Sequence, residues 1–211
     1  SAVRPQGISS VGENVYLTNH YKDSTIEDET SDFLILDVDF NLQSKLKFPM
    51  PYRHIGGLST YEGKLFAVDF DEAKVLSLKI SSPGTIKVTE ILDIPEKGPS
   101  SIAVYKDILV VSFYILPHRY PFFKDRKIRF FNLKTGLELK FKGEVLESNF
   151  SQGLTFFKQN DKLFLVESIN VFKSVLCYWI TGKDGGLDIL RVYSIDLENK
   201  RFTHIKDLQT P

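Results

Sequence analysis

Three side chains that could bind a metal ion stand at matching places in a motif that recurs along the chain. Asn19, Asp69 and Glu167 each close a short apolar strand, and Phe113 holds the fourth such place. Calcium takes six to eight oxygen ligands, usually with carboxylates among them. The three oxygen-bearing residues could therefore hold a calcium ion weakly, although polar clusters of this kind often contain no ion. No cofactor is the first expectation, and calcium is the alternative.

Aromatic and basic residues elsewhere suit the recognition of a ligand. Residues 118–129 interleave basic side chains with Tyr and Phe, a combination that can bind acidic groups through charge and ring contacts. Tyr and Arg are also enriched where binding energy concentrates in protein interfaces. The residues predicted to contact a protein, peptide or glycan partner are Tyr21, Arg53, His54, His118, Arg119 and Tyr120.

The elements that must position these residues repeat four times. Each repeat has a small residue followed by Ile or Leu, a short turn, and then a strand rich in large apolar residues. The repeats begin at Gly7-Ile8, Gly57-Leu58, Ser101-Ile102 and Gly153-Leu154. Recurrence at a spacing of roughly 50 residues, with several strands in each repeat, is typical of propeller blades.

The sequence therefore predicts one all-β domain, a β-propeller with about four blades of four antiparallel strands. No segment has the pattern of an amphipathic helix of ten residues or more, and a β-sandwich would not require a repeated cassette. The ring could be complete with four blades, part of a larger propeller with missing blades, or half of a homodimer. The predicted blades cover residues 4–52, 53–96, 97–148 and 149–211.

Charge and composition argue against several classes of partner. Lys plus Arg and Asp plus Glu both number 27, so no global field favours nucleic acid. The apolar run around residues 175–180 is far too short to insert across a membrane. A single cysteine, Cys177, excludes an internal disulfide. The compartment stays open, because a chain that begins with Ser1 could have lost a signal peptide.

The long connections are predicted to lie on one face of the propeller. They join the second and third strands of blades one, three and four, at residues 20–31, 115–126 and 168–188, whereas blade two has only residues 70–73. Binding residues concentrate on loops that a rigid scaffold holds in place. This asymmetry indicates a working surface, unless the loop lengths have drifted neutrally.

One segment resembles a known family. Residues 5–9 (Pro-Gln-Gly-Ile-Ser) and 15–20 (Val-Tyr-Leu-Thr-Asn-His) are similar to a paraoxonase segment, in which Pro-His-Gly-Ile precedes a strand ending in Asn-His. The cassette is also similar to gluconolactonase/regucalcin, strictosidine synthase-like and NHL-repeat propellers. In paraoxonases two histidines lie near a calcium ion that activates a lactone or ester. The resemblance places His20 at the second histidine and Gln6 at the first.

Two functions of different classes follow. The leading hypothesis is a non-enzymatic recognition module that binds a protein, peptide or glycan through its loop-bearing face. The alternative is a calcium-dependent hydrolase that resembles lactonases or esterases, with His20 as its base and Asn19, Asp69 and Glu167 around the ion.

Overall fold

Sixteen β-strands in four antiparallel sheets make up the described part of the molecule. The computed structural model describes residues 3–21, 31–81, 84–96, 98–113, 128–143, 150–171 and 187–209. The strands of blade 1 are β1 (Val3–Val11), β2 (Asn14–Tyr21), β3 (Asp32–Leu36) and β4 (Leu42–Lys47); those of blade 2 are β5 (Ile55–Tyr61), β6 (Lys64–Asp69), β7 (Lys74–Ser81) and β8 (Thr85–Asp93); those of blade 3 are β9 (Pro99–Tyr105), β10 (Ile108–Phe113), β11 (Ile128–Asn132) and β12 (Glu138–Leu139); and those of blade 4 are β13 (Phe150–Gln159), β14 (Lys162–Val171), β15 (Leu187–Asp196) and β16 (Arg201–Gln209).

Each sheet is a simple meander, and the four sheets form a propeller. The strands within a blade pair in chain order, so the first strand is innermost and the fourth is outermost. The prediction of an all-β propeller with four blades is confirmed. Within the described ranges, no helix is long and apolar enough to cross a membrane.

Short polar turns connect the strands at one end of each blade. In three of the four blades an Asx side chain caps the turn between the third and fourth strands: the carboxylate or amide oxygen of Asp37, Asn132 or Asp196 accepts a backbone N–H two to four residues further on. These hydrogen bonds lower the pKa of the Asp37 carboxyl. Such side chains mimic a backbone turn, which explains why Asp and Asn recur at these places.

The cores lie between blades. Leu65 and Ala67 of β6 pack with Tyr16 of blade 1, whereas the alternate residues Phe66 and Val68 pack into the core that blade 2 shares with blade 3. Because successive side chains of a strand point to opposite faces, a strand between two blades must be apolar on both. A third cluster joins blades 3 and 4. The abundant aromatic side chains therefore fill the spaces between sheets, as the composition indicates.

The inner strands approach so closely that they require small residues. A Cβ atom added to Gly7 would lie 2.7 Å from the backbone nitrogen of Leu58, and one added to Gly57 would lie 2.7 Å from the Cα of Ser101. In blade 3 a serine takes this place, and the hydroxyl oxygens of Ser101 and Ser151 lie 3.3 Å apart. The small residue of the recurring motif is thus a packing requirement of the channel.

Substitution of two glycines tests this requirement. Gly57→Ala should lower the free energy of unfolding by about 1–3 kcal/mol, because the new methyl group meets backbone atoms that cannot move independently. Gly153→Ala is the matched control, since its Cβ would meet only the Ser168 Cβ at 3.8 Å. Urea denaturation of the two variants measures the difference. Equal stability of both variants would contradict the packing argument.

Candidate functional site

The two ends of the blades differ in the length of their connections. The loop face, as we define it, comprises the ends of β2, β6, β10 and β14 with the connections that follow, together with the links from each blade to the next. Residues 22–31, 114–127 and 172–186 join the second and third strands of blades 1, 3 and 4. The opposite face has only turns of a few residues. The predicted asymmetry of the two faces is therefore present in the strand order.

Several predicted site residues lie where their side chains are not described. His118, Arg119 and Tyr120 fall outside the described residues. His20 and Tyr21 end β2, where their backbones pair with Arg4 and Val3. The contact role of these residues and the catalytic role of His20 stay predictions.

A β-bulge interrupts the first strand of every blade at the recurring motif. The ladder between the first two strands shifts between Pro5 and Gly7 in blade 1, and at the corresponding place in the other three blades. Bulges often occur beside functional sites, where they change the direction of a side chain. The residues at these bulges include Gln6, Gly56, Ser100 and Gln152. Gln6, which matches the first paraoxonase histidine, lines a cavity of about 230 Å³.

The bulges also provide a common register, and this register corrects the predicted ring of metal ligands. Asn19 and Phe113 pair with the residue just before the bulge, and Asp69 pairs with Ile55 at the same level of blade 2. In blade 4 the residue at that level is Ile169, which pairs with Ser151. Glu167 lies two residues deeper, opposite Leu154, because the hairpin between β13 and β14 is longer. Glu167 therefore does not share a ring with Asn19 and Asp69.

Glu167 is instead a fully buried residue at the centre of the blade 4 sheet. It stands directly opposite Arg191 in the ladder, and Arg191 stands opposite Asp207. The guanidinium of Arg191 donates two hydrogen bonds to the Asp207 carboxylate, at 2.9 and 2.8 Å. This bidentate contact, with a contribution from His204, lowers the pKa of Asp207. Asp207 on the outer strand is therefore a charge partner of Arg191 in this sheet.

Asp69 is the most unusual ionisable group of the loop face. Its side chain is fully buried, and its Oδ1 accepts the backbone N–H groups of Asp71 and Glu72 at 3.0 and 2.7 Å. Its Oδ2 makes no hydrogen bond of regular geometry, although the backbone N–H of His54 lies close enough to the carboxylate to oppose the rise in its pKa. Burial raises the pKa of the Asp69 carboxyl to about 6, and the nearby charge of Asp71 adds to this effect. The Oδ1 of Asn19, at the same level of blade 1, is also buried without a partner.

The link between blades 1 and 2 brings two predicted contact residues to Asp69. The backbone carbonyl of His54 accepts the N–H of Phe70 at 2.8 Å, and the two rings lie 4.7 Å apart. The His54 Nδ1 is 3.9 Å from a carboxylate oxygen of Asp71. Arg53 is exposed, and its carbonyl accepts the Ser31 hydroxyl at 2.8 Å. Arg53, His54 and Asp69 thus share one part of the loop face.

Sequence reasoning missed a second buried carboxylate at this face. Asp32, at the start of β3, is fully buried and forms ion pairs with Lys45 and Lys47 at 2.7 and 2.8 Å. The signal was a Lys-x-Lys pair on β4 opposite an acidic residue at the end of a long connection. Strand alternation places both lysines on the face of Asp32.

The described residues do not assemble a metal centre of His, Cys, Asp and Glu side chains, since no three of them are grouped closely enough. Asn19 and Asp69 supply buried oxygens, but the third predicted ligand, Glu167, lies at another level opposite Arg191. Calcium binding stays a prediction without support from these contacts.

Known proteins resemble this chain in structure only. Its sequence matches no family profile and no curated protein. A Bombyx mori GH32 β-fructofuranosidase in complex with sucrose superimposes with a TM-score of 0.61 at 13% identity, over 97% of this chain and 49% of that one. A chain of a nidogen–laminin complex gives 0.52 at 11% identity, over 98% and 80%. A candidate gluconolactonase gives 0.52 at 12% identity, over 78% and 55%.

These likenesses show the fold and leave the chemistry open. This chain spans about half the length of the gluconolactonase and the fructofuranosidase. The neighbours include a lactonase-type protein, a glycosidase and a binding module, so propellers of this kind carry unrelated functions.

Ionisation of Asp69 should make stability depend on pH. Because the pKa of this carboxyl is raised in the folded state, its contribution is fully present below the unfolded value near 4 and is lost as the pH rises through about 6. Between pH 4.5 and 7.5 the loss should be about 2 kcal/mol. Asp69→Asn keeps the oxygen that accepts the two turn N–H groups and should remove this dependence.

The measurement is urea denaturation of the wild type and Asp69→Asn at several pH values. Asp93→Asn, which removes an exposed carboxylate from the same blade, is the control and should follow the wild-type profile. Parallel profiles of wild type and Asp69→Asn would show that Asp69 is ionised with an ordinary pKa.

The likeness to known structures and the strand topology together make this chain a β-propeller with a distinct loop face.

Proposed function

We propose that this protein is a non-enzymatic recognition module that binds a protein, peptide or glycan through its loop face. The observation that carries the proposal is the asymmetry of the two faces. Three of the four connections between second and third strands are long, and all four lie at the same end of the blades. The connections at the other end are only tight turns. A rigid scaffold with long loops on one side is the usual architecture of a binding surface.

The described part of the loop face favours a ligand that donates hydrogen bonds. The Oδ1 of Asn19 and the Oδ2 of Asp69, on neighbouring blades, are buried acceptors that make no hydrogen bond of regular geometry. Leaving such an acceptor unsatisfied costs about 1–3 kcal/mol. A ligand hydroxyl or N–H group that donates a hydrogen bond to one of these oxygens would recover this free energy on binding.

The predicted contact residues suit such a ligand. Exposed Arg53 and the paired rings of His54 and Phe70 lie beside Asp69, where they can contact a sugar face or a peptide side chain. We propose that Tyr21 and the segment from His118 to Tyr120 complete the contact surface from the neighbouring loops. The nidogen–laminin complex and the sucrose complex are precedents for protein and sugar recognition on this fold.

Ligand binding can be tested by screening the purified protein on a printed glycan array and on a peptide array. For the best binder, Arg53→Ala combined with His54→Ala should weaken the affinity at least about tenfold, because aromatic and Arg contacts dominate binding energy. Lys64→Ala, which removes an exposed cation from the opposite face of the same blade, should leave the affinity unchanged. Equal loss in both variants, or no binder on either array, would contradict the proposal.

The hydrolase alternative makes an opposite prediction. Under the recognition proposal, the protein should not hydrolyse aliphatic lactones or aryl esters, with or without calcium. Turnover that disappears in chelator and in His20→Ala would contradict the recognition proposal and identify the protein as a calcium-dependent hydrolase. Melting curves of the same samples verify that each variant is folded.

A further inference from the structure

Among the described residues, one face of the second strand of blade 4 is not covered by another blade. Tyr16, Phe66 and Val110 are buried against the following blade in each of the three cores. In the common register Val166 of β14 takes this place, with Phe164 on the same side of the strand. Both side chains are only partly buried. The adjoining Phe157 and Leu208 are 40% and 42% exposed.

Blade 1 has the complementary face, which no other blade covers within the described ranges. Leu65, Leu109 and Leu165 are buried against the preceding blade in the same three cores. Val15 occupies this place in β2 and is only partly buried. Ile8, beside it on β1, is 58% exposed. Blades 1 and 4 thus each have one partly exposed apolar face, and the equivalent faces of the other blades pack against a neighbouring blade.

Gly153 gives independent evidence for a neighbour. Gly7 and Gly57, its counterparts in blades 1 and 2, are forced to be small by the inner strand of the next blade. Of the residues that the structure describes, only Ser168 would lie within 4 Å of a Cβ on Gly153, with its own Cβ at 3.8 Å. Residue 153 is therefore a glycine, as close packing of inner strands would require, although no inner strand among the described residues lies against it.

The cavity of about 230 Å³ is part of the channel, lined by the inner strands of all four blades, and it extends to the side where blades 1 and 4 face each other. Its walls include Gln6 and Ile8 of blade 1 and Thr155, Val166 and Leu190 of blade 4. Within the described ranges, β1 and β13 do not pack along each other as the other successive inner strands do. The ring formed by the four blades is therefore open at this point.

We propose that the cleft between blades 1 and 4 is the docking site for one further four-stranded propeller blade. This blade packs one apolar face on Val166 and its neighbours and the other face on Val15 and Ile8. Its inner strand lies against Gly153, as the inner strand of blade 2 lies against Gly7. The second strand of this additional blade therefore carries apolar side chains on both of its faces.

The curvature of the four blades favours one blade over a second copy of this chain. The Cα atoms of β13 and β5 approach within 8 Å across the channel, although a whole blade lies between them. Such a narrow channel belongs to a ring at the small end of the usual range of four to eight blades. Four additional blades from a second copy would require a much wider ring.

The experiment extends the chain by a second copy of residues 53–96, joined through a short Gly-Ser linker after residue 211. Blade 2 is chosen because both of its faces are packed in the structure. The added blade should raise the melting temperature by about 5 °C or more and reduce the fluorescence of the dye ANS bound to exposed apolar surface. The same extension with Leu65→Glu and Phe66→Lys in the added copy should give neither effect.

Gly153→Ala supplies a second readout that does not depend on the size of this gain. It should hardly change the melting temperature of the original chain but should remove most of the gain in the extended one. An equal effect of the two extensions, or an equal effect of Gly153→Ala in both backgrounds, would overturn the proposal. Light scattering that shows a dimer of the original chain, abolished by Val166→Glu, would overturn it in favour of a second copy.

Discussion

The close approach of the inner strands is the constraint on which the rest of this structure depends. At Gly7 and Gly57 the backbone of one blade touches that of the next, and no side chain fits between them. With the strands this close, the sheets must stack face to face, so each second strand is apolar on both sides. The repeated small residue, the bulge beside it and the large aromatic side chains further out are parts of one packing solution.

The same stacking of the sheets determines which polar groups of the loop face are buried. The blades leave their long connections and the ends of their second strands on one face, so polar groups near the channel are buried by the adjacent blades. Asp69 has a pKa of about 6 because it is buried there, and its second oxygen makes no hydrogen bond of regular geometry. A buried acceptor of this kind agrees with the proposed recognition surface.

Blade 4 differs from the other blades in the register of its second strand. The longer hairpin between β13 and β14 moves Glu167 away from the level of Asn19 and Asp69 and places it opposite Arg191. Burying a charge is costly unless a partner compensates it, and the Arg191–Asp207 pair is bidentate. The Arg191–Asp207 pair therefore stabilises the two outer strands of blade 4. The likeness to enzymes of the same fold does not carry their chemistry with it.

Local pattern by itself determined the architecture of this protein. Alternation of apolar residues, short turns and a small residue in each repeat predict four blades, because these features act within a few residues of the chain. Only the tertiary structure decided the register, since one longer hairpin shifts a whole strand, as Glu167 and Ile169 show. It also decided that the buried Asp32 pairs with two exposed lysines and that no inner strand among the described residues lies against Gly153. Contacts between distant segments depend on how the sheets stack, and the pattern of a single strand does not contain that information.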